Sequence, residues 1–183
     1  MQGTALSLLP TWENFYVIIG TAAASLTGLM FVVVTLSAGV RNRVMSDGIG
    51  AFSTPTVFHF GAALLVAAML SAPWSILWNM ELLLGLCGLG GVTYNMIVFR
   101  RVLRVLRQST YNAVLEDWLW YIAFPLVSYI ALIVAALLLP ANAALALFVI
   151  AAAAVLLVFF FFNDTATTEI YTAFELFQPD KTE

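Results

Sequence analysis

Charge is what this sequence has least of: Lys, Arg, Asp and Glu together make up 9% of its 183 residues, against about 25% in a soluble globular domain. Cysteine occurs once, as Cys87, so no intrachain disulfide can form. It lies inside an apolar run, where a small buried hydrophobe is expected rather than a reactive thiol. Histidine also occurs once, as His59, and one Cys with one His falls short of the usual zinc ligand set. No metal and no cofactor is expected. Seven basic residues, clustered as they are, are too few for a nucleic-acid surface. No basic residue precedes the first apolar run, which a cleavable secretory signal would require; an uncleaved first helix inserted N-terminus outward is expected instead. No glycine-rich phosphate loop, paired intramembrane acid motif or nucleophile–base–orienter set is visible. The chain reads as a non-enzyme.

Apolar residues fill the space that charge leaves, at 63% of the chain. A surface facing water cannot hide so much, so the bilayer is the expected solvent. A spanning helix takes about 20 mostly apolar residues. Five stretches answer to that: 15–40, 55–72, 81–99, 118–139 and 143–162. The second opens with Thr54 as N-cap and Pro55 at the first helical position, and Pro140 ends the fourth. Together they predict one transmembrane domain over 1–162 and a cytoplasmic tail over 163–183. The links after the second and fourth stretches are short, which predicts two antiparallel hairpins.

The basic residues orient this bundle. Arg41 and Arg43 follow the first stretch, Arg100, Arg101, Arg104 and Arg107 the third, and Lys181 stands in the tail. With five helices every one of them falls on the same side; with four they would be split. Positive loops stay in the cytoplasm, so the expectation is an all-α integral membrane bundle of five transmembrane helices, N-terminus out and C-terminus in, in a bacterial inner membrane. Trp12, Trp74 and Trp78 would then lie at the outer interface, and Trp118, Trp120 and Tyr121 at the inner one. Arg100, Arg104 and Arg107 share one helical face. A topology anchor is the plain reading of that face. Anionic lipid at the cytoplasmic side, drawn by about 1 kcal/mol per basic residue, is the sharper one.

Small residues recur at helical spacing. Gly20, Ala24 and Gly28 line the first stretch, and Ala63, Ala67 and Ser71 the second. Such faces let helices approach closely in lipid, within one subunit or between copies in a homo-oligomer. Gly85, Gly88, Gly90 and Gly91 predict a central place for the third helix. Ser25, Thr27 and Thr93 are expected to hydrogen-bond locally or to a neighbouring helix. The candidate polar cluster is His59, Tyr94 and Asn95 with Glu116 and Asp117. Ionisable groups near a membrane are functional candidates, although the two acids also suit a helix N-terminus.

Several strings stand out. Trp12-Glu-Asn-Phe-Tyr-Val17 and Leu26-Thr-Gly-Leu-Met-Phe-Val32, with Ser53-Thr-Pro-Thr-Val-Phe-His-Phe60 and Val114-Leu-Glu-Asp-Trp-Leu-Trp120, resemble a group of small multi-pass bacterial membrane proteins with no assigned activity. The resemblance implies a segment containing His, Asn, Trp and Asp near the end of the last helix. That place is taken here by Asn163-Asp-Thr-Ala-Thr-Thr-Glu-Ile-Tyr-Thr172, which resembles the translation of a common sequencing adapter, AAT GAT ACG GCG ACC ACC GAG ATC TAC AC. The four phenylalanines before it, 159–162, are what a run of T encodes. Residues 159–172 are therefore expected to be an assembly artefact in whole or part, and Asn163 and Asp164 are not carried over as site residues. Source DNA encoding the same string would refute this. Two functions remain open: an assembly or regulatory partner of another membrane component, and a small-solute or proton pathway through the His/carboxylate cluster.

Overall fold

The structure, a computed structural model, describes residues 2–40, 46–106 and 122–176. It is all-α, with five helices and no strand among the described residues: α1 (Gln2–Val40), α2 (Ser46–Ser71), α3 (Leu77–Leu106), α4 (Phe124–Leu138) and α5 (Ala143–Leu176).

Every helix but α4 begins or ends well outside its apolar stretch. α1 starts at Gln2 and runs through Pro10. Proline removes a backbone donor, yet the turn before it is held from outside: Leu9 is buried, with Leu6 and Leu8 packed against the same core. The hydroxyl of Thr11 donates to the Leu8 carbonyl at 2.6 Å. α2 begins at Ser46, so Thr54 and Pro55 lie within the helix and Thr54 is not its N-cap. α3 continues to Leu106, past the arginines.

Among the described residues two stretches are long and apolar enough to cross a membrane, Leu6–Val32 and Leu77–Arg101. Only 17% and 22% of their most apolar windows are buried, whereas an apolar core helix of a soluble domain would be mostly covered. The other helices contribute apolar stretches over Thr56–Ser71, Phe124–Leu138 and Ala143–Phe159 among the described residues.

Close approaches give the helix directions. On α3 and α4, Gly85 faces Ala136, Gly88 faces Ile133 and Gly91 faces Tyr129, so one number rises as the other falls and the pair is antiparallel. The link 72–76 and the turn 139–142 therefore share one end of the bundle, here termed the turn end. Pro140 stands in that turn, where the amides of Ala141 and Asn142 both donate to the Leu138 carbonyl, at 3.0 and 2.8 Å. Asn142 then caps α5, its Oδ1 accepting from the Leu145 amide at 3.1 Å. Arg100 and Arg101 lie at the opposite end, the arginine end.

The central helix is α5 and not the glycine-rich α3. α5 packs on α4, α2 and α1, whereas α3 packs chiefly on α4. The reason lies in the faces. On α5, Ala146, Leu147, Ile150, Ala153, Ala154 and Leu157 are all buried, so small and large residues cover several neighbours. On α3 one face is notched by glycine, while Leu82, Leu83, Leu86 and Leu89 remain exposed.

Candidate functional site

Tyr129 organises the polar centre. It projects from the second turn of α4 and is fully buried. α3 makes room for its ring: a Cβ built on Gly91 would stand 2.0 Å from Tyr129 Cδ1, and one on Gly88 would stand 2.6 Å from Ile133 Cγ1 and 3.0 Å from the Tyr129 carbonyl oxygen. Real side chains never approach so closely, so both positions require glycine for space, with no demand on backbone conformation.

A buried phenol needs a polar partner. The hydroxyl of Tyr129 meets His59 Nδ1 of α2 at 2.8 Å. A neutral imidazole makes this bond in either tautomer, accepting from the phenol at a bare Nδ1 or donating to it from Nδ1–H. His59 is 2% exposed. Around the pair lies an aromatic shell. Phe58 stacks on Tyr94 of α3, with ring centroids 3.8 Å apart and planes inclined by 19°. Tyr94 in turn meets His59 edge-on at 6.3 Å.

Asn95, next on α3, is buried and reaches α4 by a different route. Its Nδ2 donates to the Ile122 carbonyl at 3.3 Å. Residues 122–123 wind as a π-type turn ahead of Pro125, which has no N–H to give the carbonyl four residues earlier. A side chain from α3 thus serves backbone in the irregular entry to α4. At the other end, the buried Tyr16 of α1 donates its hydroxyl to the Leu147 carbonyl of α5 at 3.0 Å. Three polar contacts therefore tie α2 to α4, α3 to the start of α4, and α1 to α5.

Six further hydroxyls turn back on their own helices. Thr21, Ser25, Thr27, Thr35, Thr93 and Ser128 each donate to the carbonyl four residues earlier, at 2.7–3.0 Å. No buried side-chain nitrogen or oxygen among the described residues lacks a partner. No cluster of His, Cys, Asp and Glu there could hold a metal ion. Two concavities lie away from His59. One, of about 360 Å³, is a groove between α1 and α2 lined by Tyr16, Gly20, Thr21, Ala24, Leu64 and Ala67. The other, of about 210 Å³, is at the turn end beside Leu8 and Asn142.

Of the sequence-derived cluster, the structure brings His59 and Tyr94 together and places Asn95 beside them on α3, while Glu116 and Asp117 lie outside the described residues. Arg41, Arg43 and Arg107 also lie outside. Gly20 packs against Ala67, whose Cβ would stand 3.0 Å from a Cβ at that glycine. Ala24 is exposed, and Gly28 has open space beside it. Cys87 is partly buried against the core. Tyr129 and Tyr16 escape a sequence reading that seeks charged groups. The signal that finds Tyr129 is a lone phenol in an apolar helix, opposite a neighbour with glycines three residues apart. Comparison with protein-family models, with curated proteins and with solved structures finds no match to this chain.

Proposed function

We propose that the chain is a five-span protein of a bacterial inner membrane, N-terminus outside and C-terminus in the cytoplasm, that acts without catalysis as an assembly or regulatory partner of another membrane component. The observation that carries this reading is the internal pairing of the buried polar groups among the described residues beside an open lateral face. His59, Tyr129 and Asn95 are used up in holding helices together, and hydrogen bonds of this kind in membranes are worth about 0.6–1.7 kcal/mol each. Among the described residues one open face is the flank of α1, where Ala24 and Gly28 lie open among exposed Val17, Ile18, Leu29 and Phe31. The five-span topology draws its support from the placement of Arg100 and Arg101 at the end opposite both short links, with Arg41 and Arg43 after the first apolar stretch and Lys181 in the tail.

The test is a pair of measurements on the full chain. A photo-crosslinking residue at Ala24 or Gly28, in the source membrane, is expected to give one discrete adduct; at Leu137, 75% exposed on α4, it gives none. Reconstituted vesicles are expected to show no proton or cation flux that depends on His59. Equal adducts from all three positions would remove the support for a specific partner. Flux abolished by His59→Ala would overturn the proposal in favour of a solute or proton pathway.

A further inference from the structure

The entry to α4 concentrates features that soften a helix. Residues 122–123 wind as a π-type turn, wider than the α-helix that follows. Pro125, in the first turn of α4, supplies no backbone donor. The hydroxyl of Ser128 donates to the Phe124 carbonyl at 3.0 Å, and such back-bonds often bend helices. Sharp kinks arise at π-turns and prolines, and here both stand within residues 122–128. Beyond them α4 is fixed. Tyr129 is fully buried, its ring fills the notch at Gly88 and Gly91 of α3, and its hydroxyl meets His59 of α2 at 2.8 Å. The helix is thus pinned to two neighbours one residue after Ser128.

Ahead of these residues the hold is slighter. Ala123 is exposed, and the polar tie to α3 is the Asn95 Nδ2 bond to the Ile122 carbonyl. At 3.3 Å that bond lies just past the usual span for N–H···O. Asn95 is 3% exposed. A buried amide left without a partner costs more than the bond itself contributes, so this bond breaks only where the amide gains another partner. Exposed Arg100 stands about 7.5 Å further along the α3 axis, at 1.5 Å per residue. A small parting of the α4 entry from α3 therefore brings water to the amide.

We propose that residues 122–128 form a hinge on which the chain entering α4 swings away from α3, with Asn95 as its latch and Tyr129 as its fixed point. The hinge has two settings: latched with Asn95 dry, and open with Asn95 hydrated. Pairs of spin labels on the full chain, in a Cys87→Ala background, report the swing by pulsed electron paramagnetic resonance. Both pairs share a label at Phe31→Cys of α1, where the parent side chain is 73% exposed. The second label is at Ala123→Cys, ahead of Pro125, or at Ile130→Cys, beyond Tyr129; both positions are exposed. The Ala123 pair is expected to show one main distance and a minor second one, and the Ile130 pair a single distance. Asn95→Leu is close in size and removes the donor. It raises the minor population of the Ala123 pair about three- to eighteenfold, the range for losing one such bond in a membrane. Pro125→Ala restores the backbone donor and lowers that population, in the parent and in Asn95→Leu alike. A minor population unmoved by Asn95→Leu overturns the latch. One unmoved by Pro125→Ala overturns the hinge, and that variant decides even where Asn95→Leu does not fold. Equal broadening of the Ile130 pair in Asn95→Leu shows a general loosening of the bundle and overturns the proposal too.

Discussion

Adding a single methyl group at Gly91 is expected to destabilise the bundle by about 3 kcal/mol, at the upper end of the usual cost of overpacking a core. The added Cβ would lie 2.0, 2.2 and 2.3 Å from Cδ1, Cε1 and Cγ of Tyr129. Those atoms lie on the near edge of the ring, next to the Tyr129 backbone, so the contact cannot be relieved by swinging a distant tip. The ring is fully buried and held by His59 at its hydroxyl, so it has nowhere to move without parting α3 from α4. Unfolding of the reconstituted full chain, followed by helical circular dichroism in increasing dodecyl sulfate, measures the cost. Gly28→Ala is the control, since nothing lies within 4 Å of that position, and it is expected to be neutral within about 0.5 kcal/mol. The origin of the effect is separable as well. In a Tyr129→Ala background the clash partner is gone, so Gly91→Ala should cost little, and the two changes should couple strongly. An equal cost in both backgrounds would show that the ring is not what Gly91 accommodates.

Truncation of Tyr129 itself is expected to cost about 3–5 kcal/mol, the range for deletion of a buried aromatic side chain. Three losses combine: the ring's packing in the Gly88–Gly91 notch, the hydrogen bond with His59 Nδ1, and the aromatic neighbourhood of Phe58 and Tyr94. Tyr129→Phe separates them. It keeps the ring and removes only the hydroxyl, for an expected cost of about 0.6–1.7 kcal/mol. The difference between the two variants is the share carried by packing. A phenylalanine variant as unstable as the alanine variant would place the hydroxyl at the centre of the energetics. One indistinguishable from the parent would mean that the 2.8 Å contact contributes no net stability.

These two residues also mark where sequence and structure part. The all-α class was legible because apolar stretches recur with short breaks at Pro73 and Pro140, and a helix is the simplest way to satisfy a backbone in apolar surroundings. The helix ends were less so. Hydropathy locates where a helix meets lipid, whereas α1 and α3 continue as helix beyond it. The place of α3 was misjudged because glycine count carries no direction: Gly85, Gly88 and Gly91 all serve a single partner, α4, while Gly90 faces open space. The central helix, α5, is rich in alanine, which lets several helices approach at once, yet its sequence has none of the glycine spacing that draws attention. His59, Tyr94 and Asn95 were legible as polar groups in apolar helices. Their partners were not, because the meeting of His59 with Tyr129 depends on the relative rotation of α2 and α4, which packing sets and no local pattern encodes.

The central claim is a five-span membrane bundle with both termini on opposite sides, and accessibility of single cysteines tests it most directly. In a Cys87→Ala background of the full chain, new cysteines are placed at Gln2, at Ala141 in the exposed turn between α4 and α5, at Arg43 and at Thr182. A membrane-impermeant maleimide applied to intact spheroplasts is expected to label Gln2→Cys and Ala141→Cys, and to reach Arg43→Cys and Thr182→Cys only after lysis. Labelling of Thr182→Cys in intact spheroplasts together with Gln2→Cys would put both termini on one side. That result requires an even number of spans and would contradict the account.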